Sequence, residues 1–266
     1  MTNSLDAPGN APASRWQSHA PYDLSELAQA RVEAINLVQW LARIANSYAA
    51  EDTSQRRTSL EFRRAGAAIV TRPFDKGIAL ELRLPTLQMQ FLDNGKPVPH
   101  VFDPEEHSPA EAEAWILVEL LHRGLDREKF SKELPYAVPG LMSGDAEDYS
   151  PQLCRAGLIQ LTALFQDAAA VLDAAARAAD RDQICIVCRP QTLNLTTLPG
   201  HAGVEAGEFG FSPGDVENPE PYFYLDDDVK NGSTGSAKRS VLKASTLIAE
   251  SDPVAAAIKL KKLKPA

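Results

Sequence analysis

Cysteine is scarce in this chain, and several common motifs of enzyme active sites are missing. There are 3 cysteines in 266 residues, an odd number that cannot pair completely and that fits a reduced protein better than a disulfide-linked secreted one. The sequence contains no G-x-x-x-x-G-K-[ST], no strand-linked G-x-G-x-x-G and no H-E-x-x-H. These absences argue against a P-loop nucleotide site, a dinucleotide-binding fold and a zinc metalloprotease helix.

Long apolar runs and net positive charge are also missing. No stretch approaches the roughly 20 apolar residues that span a bilayer, and the N-terminal sequence MTNSLDAPGNAPAS has neither the basic start nor the apolar core of an export signal. The formal net charge is -9 and the pI is about 5.1, which opposes attraction to nucleic acid phosphates. We therefore expect a cytoplasmic protein that binds neither a membrane nor nucleic acid.

The composition divides the chain into three parts. Residues 1–22 mix Ala, Pro, Asn and Ser without periodicity, which predicts a flexible N-terminal arm. Residues 23–228 carry the periodic segments of a single α+β domain. Residues 229–266 begin with a flexible N-G-S-T-G-S linker, continue with a weak helix over about 251–262 and end in a basic tail.

Two long helices are predicted from apolar residues at steps of three and four. One runs from Ser25, a good N-cap, to about Ala50, and the other from Ser150 to about Ala179. A shorter helix begins at Ser108, where Glu111 completes a capping box, and ends at Gly124. A long loop covers residues 135–149, and loops of this length often carry function or mobility.

Nine strands are predicted, and period-two alternation indicates that one face of the sheet packs on a core. An Asn94-Gly95 pair is placed to close a hairpin between two of them. The order of helices and strands predicts an α+β fold, with an antiparallel sheet and two long helices packed against it. The predicted strands are 60–64, 67–71, 78–84, 87–91, 98–102, 183–188, 192–198, 204–211 and 221–225.

The segment from Gly207 to Asp228, GEFGFSPGDVENPEPYFYLDDD, combines a tight turn, an aromatic strand and seven carboxylates. Pro213 fixes φ in the turn, and Gly214 supplies the positive φ of a type II turn. Tyr222 and Tyr224 share one face of the strand that follows, and Phe223 takes the other. The tyrosine face either packs in the core or offers its hydroxyls to a ligand or a partner.

The candidate site combines this segment with the strand at 189–196. We expect it to bind a small polar ligand or a protein partner without catalysis, and we assign no catalytic residue, cofactor or metal ligand. The ligand-binding residues proposed from the sequence are Gln191, Asn194, Ser212, Asp215, Tyr222 and Tyr224.

Two alternatives remain open. His201, Asp215 and Glu217 lie close together in sequence, and a divalent ion held by them would serve a metal-assisted hydrolase or isomerase. The third hypothesis is a structural or assembly subunit.

Cys185 and Cys188 form a C-x-x-C pair within an apolar run that is typical of a buried strand. Redox pairs of this kind normally open a helix, and positions three apart on a strand face opposite sides of the sheet. We interpret the pair as core packing, because a zinc site would need two further ligands.

The segment GEFGFSPGDVENPEPYFY resembles the C-terminal signature of a family of uncharacterised bacterial proteins, a domain of unknown function. In that family a glycine-rich strand, an S-P-G-D-like turn and a P-E-P-x-F-Y strand follow one another. Where the family reads W-P-H-H-F-D-I-A, this chain reads RPQTLNLT, with Gln191, Thr192 and Asn194 in place of two histidines and an aspartate. The resemblance covers about 20–228 and implies the fold, but it implies no metal or acid-base chemistry at this motif.

Overall fold

The computed structural model describes residues 23–48, 58–177, 185–197, 208–226 and 239–248. Within these residues it contains four helices and a ten-stranded antiparallel sheet, which confirms the expected α+β fold. The predicted arm at 1–22 and the predicted helix near 251–262 lie outside the described residues. The helices are α1 (Leu24–Tyr48), α2 (Pro109–His122), α3 (Arg155–Arg177) and α4 (Ala244–Ile248).

The sheet has the strand order β10-β9-β8-β7-β6-β1-β2-β3-β4-β5. Nine of the strands match the predicted segments within a few residues. The tenth, β10, was not predicted: it pairs with β9, although the sequence analysis assigned its residues to the appended linker and tail. The strands are β1 (Leu60–Arg63), β2 (Ala68–Val70), β3 (Ile78–Arg83), β4 (Met89–Asp93), β5 (Lys96–Phe102), β6 (Ile186–Arg189), β7 (Asn194–Thr197), β8 (Glu208–Ser212), β9 (Tyr222–Asp226) and β10 (Arg239–Lys243).

Local sequence signals explain where two helices begin. At α2 the Ser108 hydroxyl accepts from the Glu111 N–H at 3.3 Å, and the Glu111 carboxylate accepts from the Ser108 N–H at 2.8 Å, so the capping box is confirmed. At α1 the predicted cap, Ser25, was wrong. The Asp23 carboxylate accepts from the N–H groups of Ser25 and Glu26 at 3.0 and 3.1 Å and thus satisfies two donors of the first turn.

The hairpin between β4 and β5 has the expected turn. Asn94 and Gly95 both have positive φ, 48° and 77°, as the two central residues of a type I′ turn require. Strand β5 is one edge of the sheet, and it carries Lys96, Pro97 and Pro99. Proline and lysine on an edge strand discourage pairing with another chain.

The long helices α1 and α3, together with α2, cover one face of the sheet. Their apolar residues and alternate strand residues form one buried cluster. The Phe165 ring of α3 lies 5.5 Å from Phe62 and 6.2 Å from Phe211, edge to face in both contacts. Helix α2 covers the β4 and β5 end, where the Trp115 ring lies 5.5 Å from Phe91.

The helix over Pro151–Arg177 is long and apolar enough to cross a membrane by length and composition alone, contrary to the expectation from the sequence. More than half of its most apolar stretch is buried inside the protein. It packs against α1 and strands β6, β7 and β8, as the core helix of a folded domain does.

Helices α1 and α3 cross very closely at Gly157. A Cβ atom added there would lie 2.1 Å from the Glu26 backbone oxygen and 3.0 Å from the Ala30 Cβ. Because neither the backbone of α1 nor a buried alanine can move aside easily, the crossing requires a residue without a side chain.

The predicted loop at 135–149 contains no helix or strand and runs beside α1. Asn36 accepts from the Met142 N–H at 2.8 Å, and the Trp40 indole N–H donates to the Tyr149 hydroxyl at 3.0 Å. Polar side chains of α1 therefore hold this loop against the helix.

Gly157→Ala is expected to lower the free energy of unfolding by about 1–3 kcal/mol, because the added methyl group overpacks the crossing. This loss should exceed the gain of about 1 kcal/mol that alanine brings over glycine within a helix. Urea denaturation followed by circular dichroism measures the difference. Ile159→Ala, at a position 60% exposed on the same helix, is the control and should change stability by less than about 0.5 kcal/mol. A stabilised Gly157→Ala variant would contradict the close crossing.

Candidate functional site

The candidate site lies on the sheet face opposite the helices. Phe223 of β9 points into the helix-covered core, so its neighbours Tyr222 and Tyr224 point to the other face. The register places Tyr222 beside Ser212 and Tyr224 beside Gly210. Both tyrosines are 1% exposed, so this part of the second face is buried although the α1–α3 layer lies on the other side.

The Tyr224 hydroxyl is the centre of a polar network. It donates to a carboxylate oxygen of Glu208 at 2.9 Å, and the Asn194 side chain lies close enough to the phenol to act against the rise of its pKa. Arg189 holds the Glu208 carboxylate with two donors, Nε at 3.1 Å and Nη2. Three side chains from strands β6, β8 and β9 are thus joined in one chain of hydrogen bonds, and Asn194 of β7 lies beside it.

The ring of Tyr224 lies across Gly210. A Cβ atom on Gly210 would lie 2.4 Å from the phenol carbon and from its oxygen, and 2.8 Å from the Leu195 carbonyl oxygen. Glycine is therefore needed at 210 for space. Its absent side chain lets the Tyr224 phenol lie over β8 and reach Glu208, two residues away on the same strand as Gly210.

Burial and the network shift the ionisation of these groups. Burial, together with the adjacent Glu208 carboxylate, raises the pKa of Tyr224 far above its ordinary value. Burial alone would lower the pKa of Arg189, but the hydrogen bond and charge of Glu208 outweigh it and raise that pKa. At neutral pH the phenol therefore stays neutral and the guanidinium stays charged.

A second polar group forms around Asp215 in the turn between β8 and β9. Its carboxylate accepts from the Asn218 N–H at 2.6 Å and from the Tyr222 hydroxyl. Arg31 of α1 reaches the same turn: its Nη1 would be 2.7 Å from a Cβ on Gly214, which has φ +103°. The positive φ predicted for Gly214 is confirmed, and burial lowers the pKa of Arg31 while Asp215 acts against that shift.

Ser212 is a buried turn residue. The residues from Gly210 to Gly214 match the G-x-S-x-G motif of α/β-hydrolases, although this motif was not identified from the sequence. The hydrolase motif places its serine between a strand and a helix, whereas Ser212 ends one strand of an antiparallel hairpin and is 1% exposed. Its hydroxyl accepts from the Gly214 N–H at 3.2 Å, so we interpret it as a residue that shapes the turn.

The structure brings five of the six proposed ligand-binding residues to this face or its adjoining turn. Asn194 lies beside Tyr224, the Tyr222 and Tyr224 rings lie 6.3 Å apart, and Ser212 and Asp215 follow at the end of β8. Gln191 differs from the others: it is exposed in the turn between β6 and β7, and its side chain makes no hydrogen bond within the described part of the chain.

Two residues of the network, Arg189 and Glu208, were not proposed from the sequence. The alternation of each strand shows which of its own residues share a face, but it does not show which strands are neighbours. The sequence did contain one signal for this pair, which is charge. Arg189 and Glu208 lie among apolar residues in buried strands, and charged side chains in such strands require a partner.

The alternative site at Asp215, Glu217 and His201 has little geometric support. His201 lies outside the described residues, and Glu217 is exposed. Both oxygens of the Asp215 carboxylate already accept hydrogen bonds. A metal ion would have to displace the bonds that hold the turn.

The two cysteines of the C-x-x-C pair lie in different surroundings. Cys185 is exposed and Cys188 is buried, and burial raises the pKa of both thiols. Burial also raises the pKa of Cys154, to about 11. The interpretation as core packing therefore holds for Cys188 and was wrong for Cys185, which precedes the strand. The raised pKa values leave no thiolate activated by its surroundings.

Tyr224→Phe should lower the free energy of unfolding by about 1.5–3 kcal/mol at pH 8, because it removes a buried hydrogen bond to a carboxylate. The cost should shrink as the pH rises above about 10, where the unfolded wild-type phenol ionises and the folded one does not. Because the pKa of Tyr224 is raised in the folded state, the contribution of its phenol to the free energy of unfolding is present below the ordinary tyrosine pKa and is lost above it. Urea denaturation of both proteins from pH 8 to 11 tests this, and a constant difference across the range would contradict it.

Comparison with protein-family models, with curated proteins and with solved structures found no match to this chain. The resemblance of GEFGFSPGDVENPEPYFY to a bacterial family therefore stays a prediction. What the chain does has to be argued from its own residues.

Proposed function

We propose that this chain is a cytoplasmic binding protein that takes a small polar ligand on the sheet face opposite the helices and performs no chemistry on it. One observation carries the proposal. The side-chain oxygen of Asn194 is buried and has no hydrogen-bond partner in the described residues, in a residue that is 8% exposed. An unpaired buried acceptor costs about 1–3 kcal/mol, a cost that a bound donor would remove.

The network determines which ligand chemistry fits. The Asn194 side-chain oxygen is an acceptor without a partner, so it requires an N–H or O–H from the ligand. Arg189 and Glu208 keep side-chain exposures of 31% and 19%, so they are the part of the network that a ligand meets before it reaches the buried Asn194 oxygen. A small molecule that carries both donors and acceptors, such as an amide, an amino acid or a polyol, matches this set.

Catalysis has no support from the groups at this face. The Tyr224 phenol has a raised pKa, the Glu208 carboxylate is paired with Arg189, and the Asp215 carboxylate is bonded within its turn. A general base or nucleophile needs a free lone pair and a pKa near the working pH. These groups position one another and leave little capacity to move a proton.

A protein partner is the second candidate, and β10 favours it. This strand is an edge of the sheet, and Val241, on the same face as Tyr224, is 39% exposed. An exposed edge can accept a strand from another chain through backbone hydrogen bonds. A second copy of this chain would use the same edge, which would make the protein an assembly subunit.

Thermal-shift screening with a set of amides, amino acids and polyols tests the ligand proposal. A matching compound at one hundred times its Kd should add about 2.7 kcal/mol to the stability of the wild type. Asn194→Leu, which keeps the volume and removes the acceptor, should abolish that shift.

Thr196→Val is the matched control for this screen. Thr196 lies on the same strand and face as Asn194, but its hydroxyl already donates to the Phe209 carbonyl at 3.1 Å, so the variant should keep the ligand response. The proposal fails if no compound stabilises the wild type, or if Asn194→Leu responds as the wild type does. A strand partner on β10 would instead appear as a dimer in light scattering that Val241→Lys disrupts.

A further inference from the structure

A cluster of two histidines and a glutamate lies at the opposite end of the sheet from the polar network. His100 of β5 places its Nδ1 atom 2.9 Å from the Glu119 Oε1 atom, and His122 places its Nδ1 atom 3.5 Å from the same oxygen. Within the described residues this is the group of His, Cys, Asp or Glu whose ligand atoms converge, all within 4.8 Å of one another.

The two separations from the Glu119 oxygen are close to the spacing of ligands around a tetrahedral metal ion. Zinc binds histidine nitrogen and carboxylate oxygen at about 2.0–2.2 Å, so two of its ligands lie about 3.3–3.5 Å apart. The 3.5 Å distance from His122 to the Glu119 oxygen lies at the upper end of this spacing, and the 2.9 Å distance from His100 lies below it. Small side-chain movements would bring the three atoms to equal distances from one ion.

The carboxylate is held in place while the histidines are free to adjust. The Glu119 side chain is 2% exposed, and its Oε2 atom lies 2.7 Å from Nη1 of Arg123. The Arg123 guanidinium is itself held over the Phe91 ring, 4.6 Å from its centroid. The side chains of His100 and His122 are 63% and 54% exposed, so an ion can enter from solvent and the rings can rotate to meet it.

We propose that His100, Glu119 and His122 form a binding site for a divalent transition-metal ion, best suited to Zn²⁺, with solvent at the fourth position. Imidazole and carboxylate together suit zinc. Arg123 holds the Glu119 carboxylate, and metal sites typically contain such a second residue that orients a residue bound to the ion.

The competing explanation is an ion-pair cluster without metal. In that case both rings would direct an N–H at one carboxylate oxygen, while the other oxygen meets Arg123. An ion instead accepts one lone pair from each ring and one from the carboxylate. The positive charge of Arg123 opposes the ion, so we expect weaker affinity than at a closed four-ligand structural site.

The sequence contains part of the signal for this site. Glu119 and His122 are three residues apart and therefore share one face of α2. His100 belongs to a strand that precedes the helix, and only the fold shows that the helix lies over that strand. The site is independent of the proposed ligand-binding function, because it uses none of the same residues.

Isothermal titration of Zn²⁺ into the full-length chain tests the proposal. Cys185 is exposed and can bind zinc itself, so Cys185→Ser is the background for every variant. We expect one equivalent of Zn²⁺ to bind in this background. Affinity should fall by at least about 10-fold in His100→Ala and in His122→Ala, since even loss of an outer partner costs a metal site that much.

His107→Ala is the matched control. His107 is also exposed and its Nδ1 atom lies 2.8 Å from the Glu105 carbonyl oxygen, outside the cluster, so this variant should bind zinc as the background does. Circular dichroism confirms that each variant is folded. The proposal is overturned if the background binds no zinc, which leaves an ion-pair cluster only, or if the affinity is unchanged in the His100→Ala and His122→Ala variants.

Discussion

Helix α1 is enclosed on three sides by the rest of the chain, and the fold depends on satisfying its polar groups there. It packs on the sheet and crosses α3 at Gly157. On its third side it is flanked by the segment at 126–149, which ends in the loop at 135–149. Polar groups cut off from water must find partners within the protein. Gln39, which is fully buried, donates to the Ile35 and Pro190 carbonyls at 2.9 and 2.8 Å and accepts from the Tyr136 hydroxyl at 3.1 Å.

The same helix also positions the candidate site on the far side of the sheet. Pro190 belongs to the turn that leads into Asn194, and Gln39 holds that turn through its carbonyl. Arg31, two turns earlier on α1, reaches the β8–β9 turn at Gly214. The two turns that flank the polar network are therefore both held from α1, so the network is supported by a rigid helix instead of by mobile loops.

Much of the fold could be predicted because its signals are local. A capping box, an Asn-Gly hairpin and period-two alternation each lie within a few residues of sequence, and the corresponding elements were predicted nearly in register. Strand β10 was missed because its five residues follow a linker-like segment and gain their order from pairing with β9. Asp23 was missed as the α1 cap because Ser25 is an equally good cap by residue type, and only the geometry distinguishes them.

The candidate site could be predicted only in part, for a related reason. Alternation along β9 was enough to place Tyr222 and Tyr224 on one face, because this pattern depends only on the residues of that strand. The link from Tyr224 to Glu208 and Arg189 spans four neighbouring strands, β9 to β6, and it also depends on Gly210 for space. A glycine in a strand can indicate the close approach of another group, but sequence alone does not identify that group.

The width of the sheet determines how the two proposed sites relate. Asn194 lies on β7 and His100 on β5, six strand positions apart in the sheet order, or about 29 Å at about 4.8 Å per strand. The Debye length at physiological salt is about 8 Å, so the charge of an ion at one end is screened before it reaches the other. Direct electrostatic coupling between the sites is therefore negligible. Any coupling has to pass through the core beneath the sheet, where α1 lies against β3 and also holds the turn before Asn194.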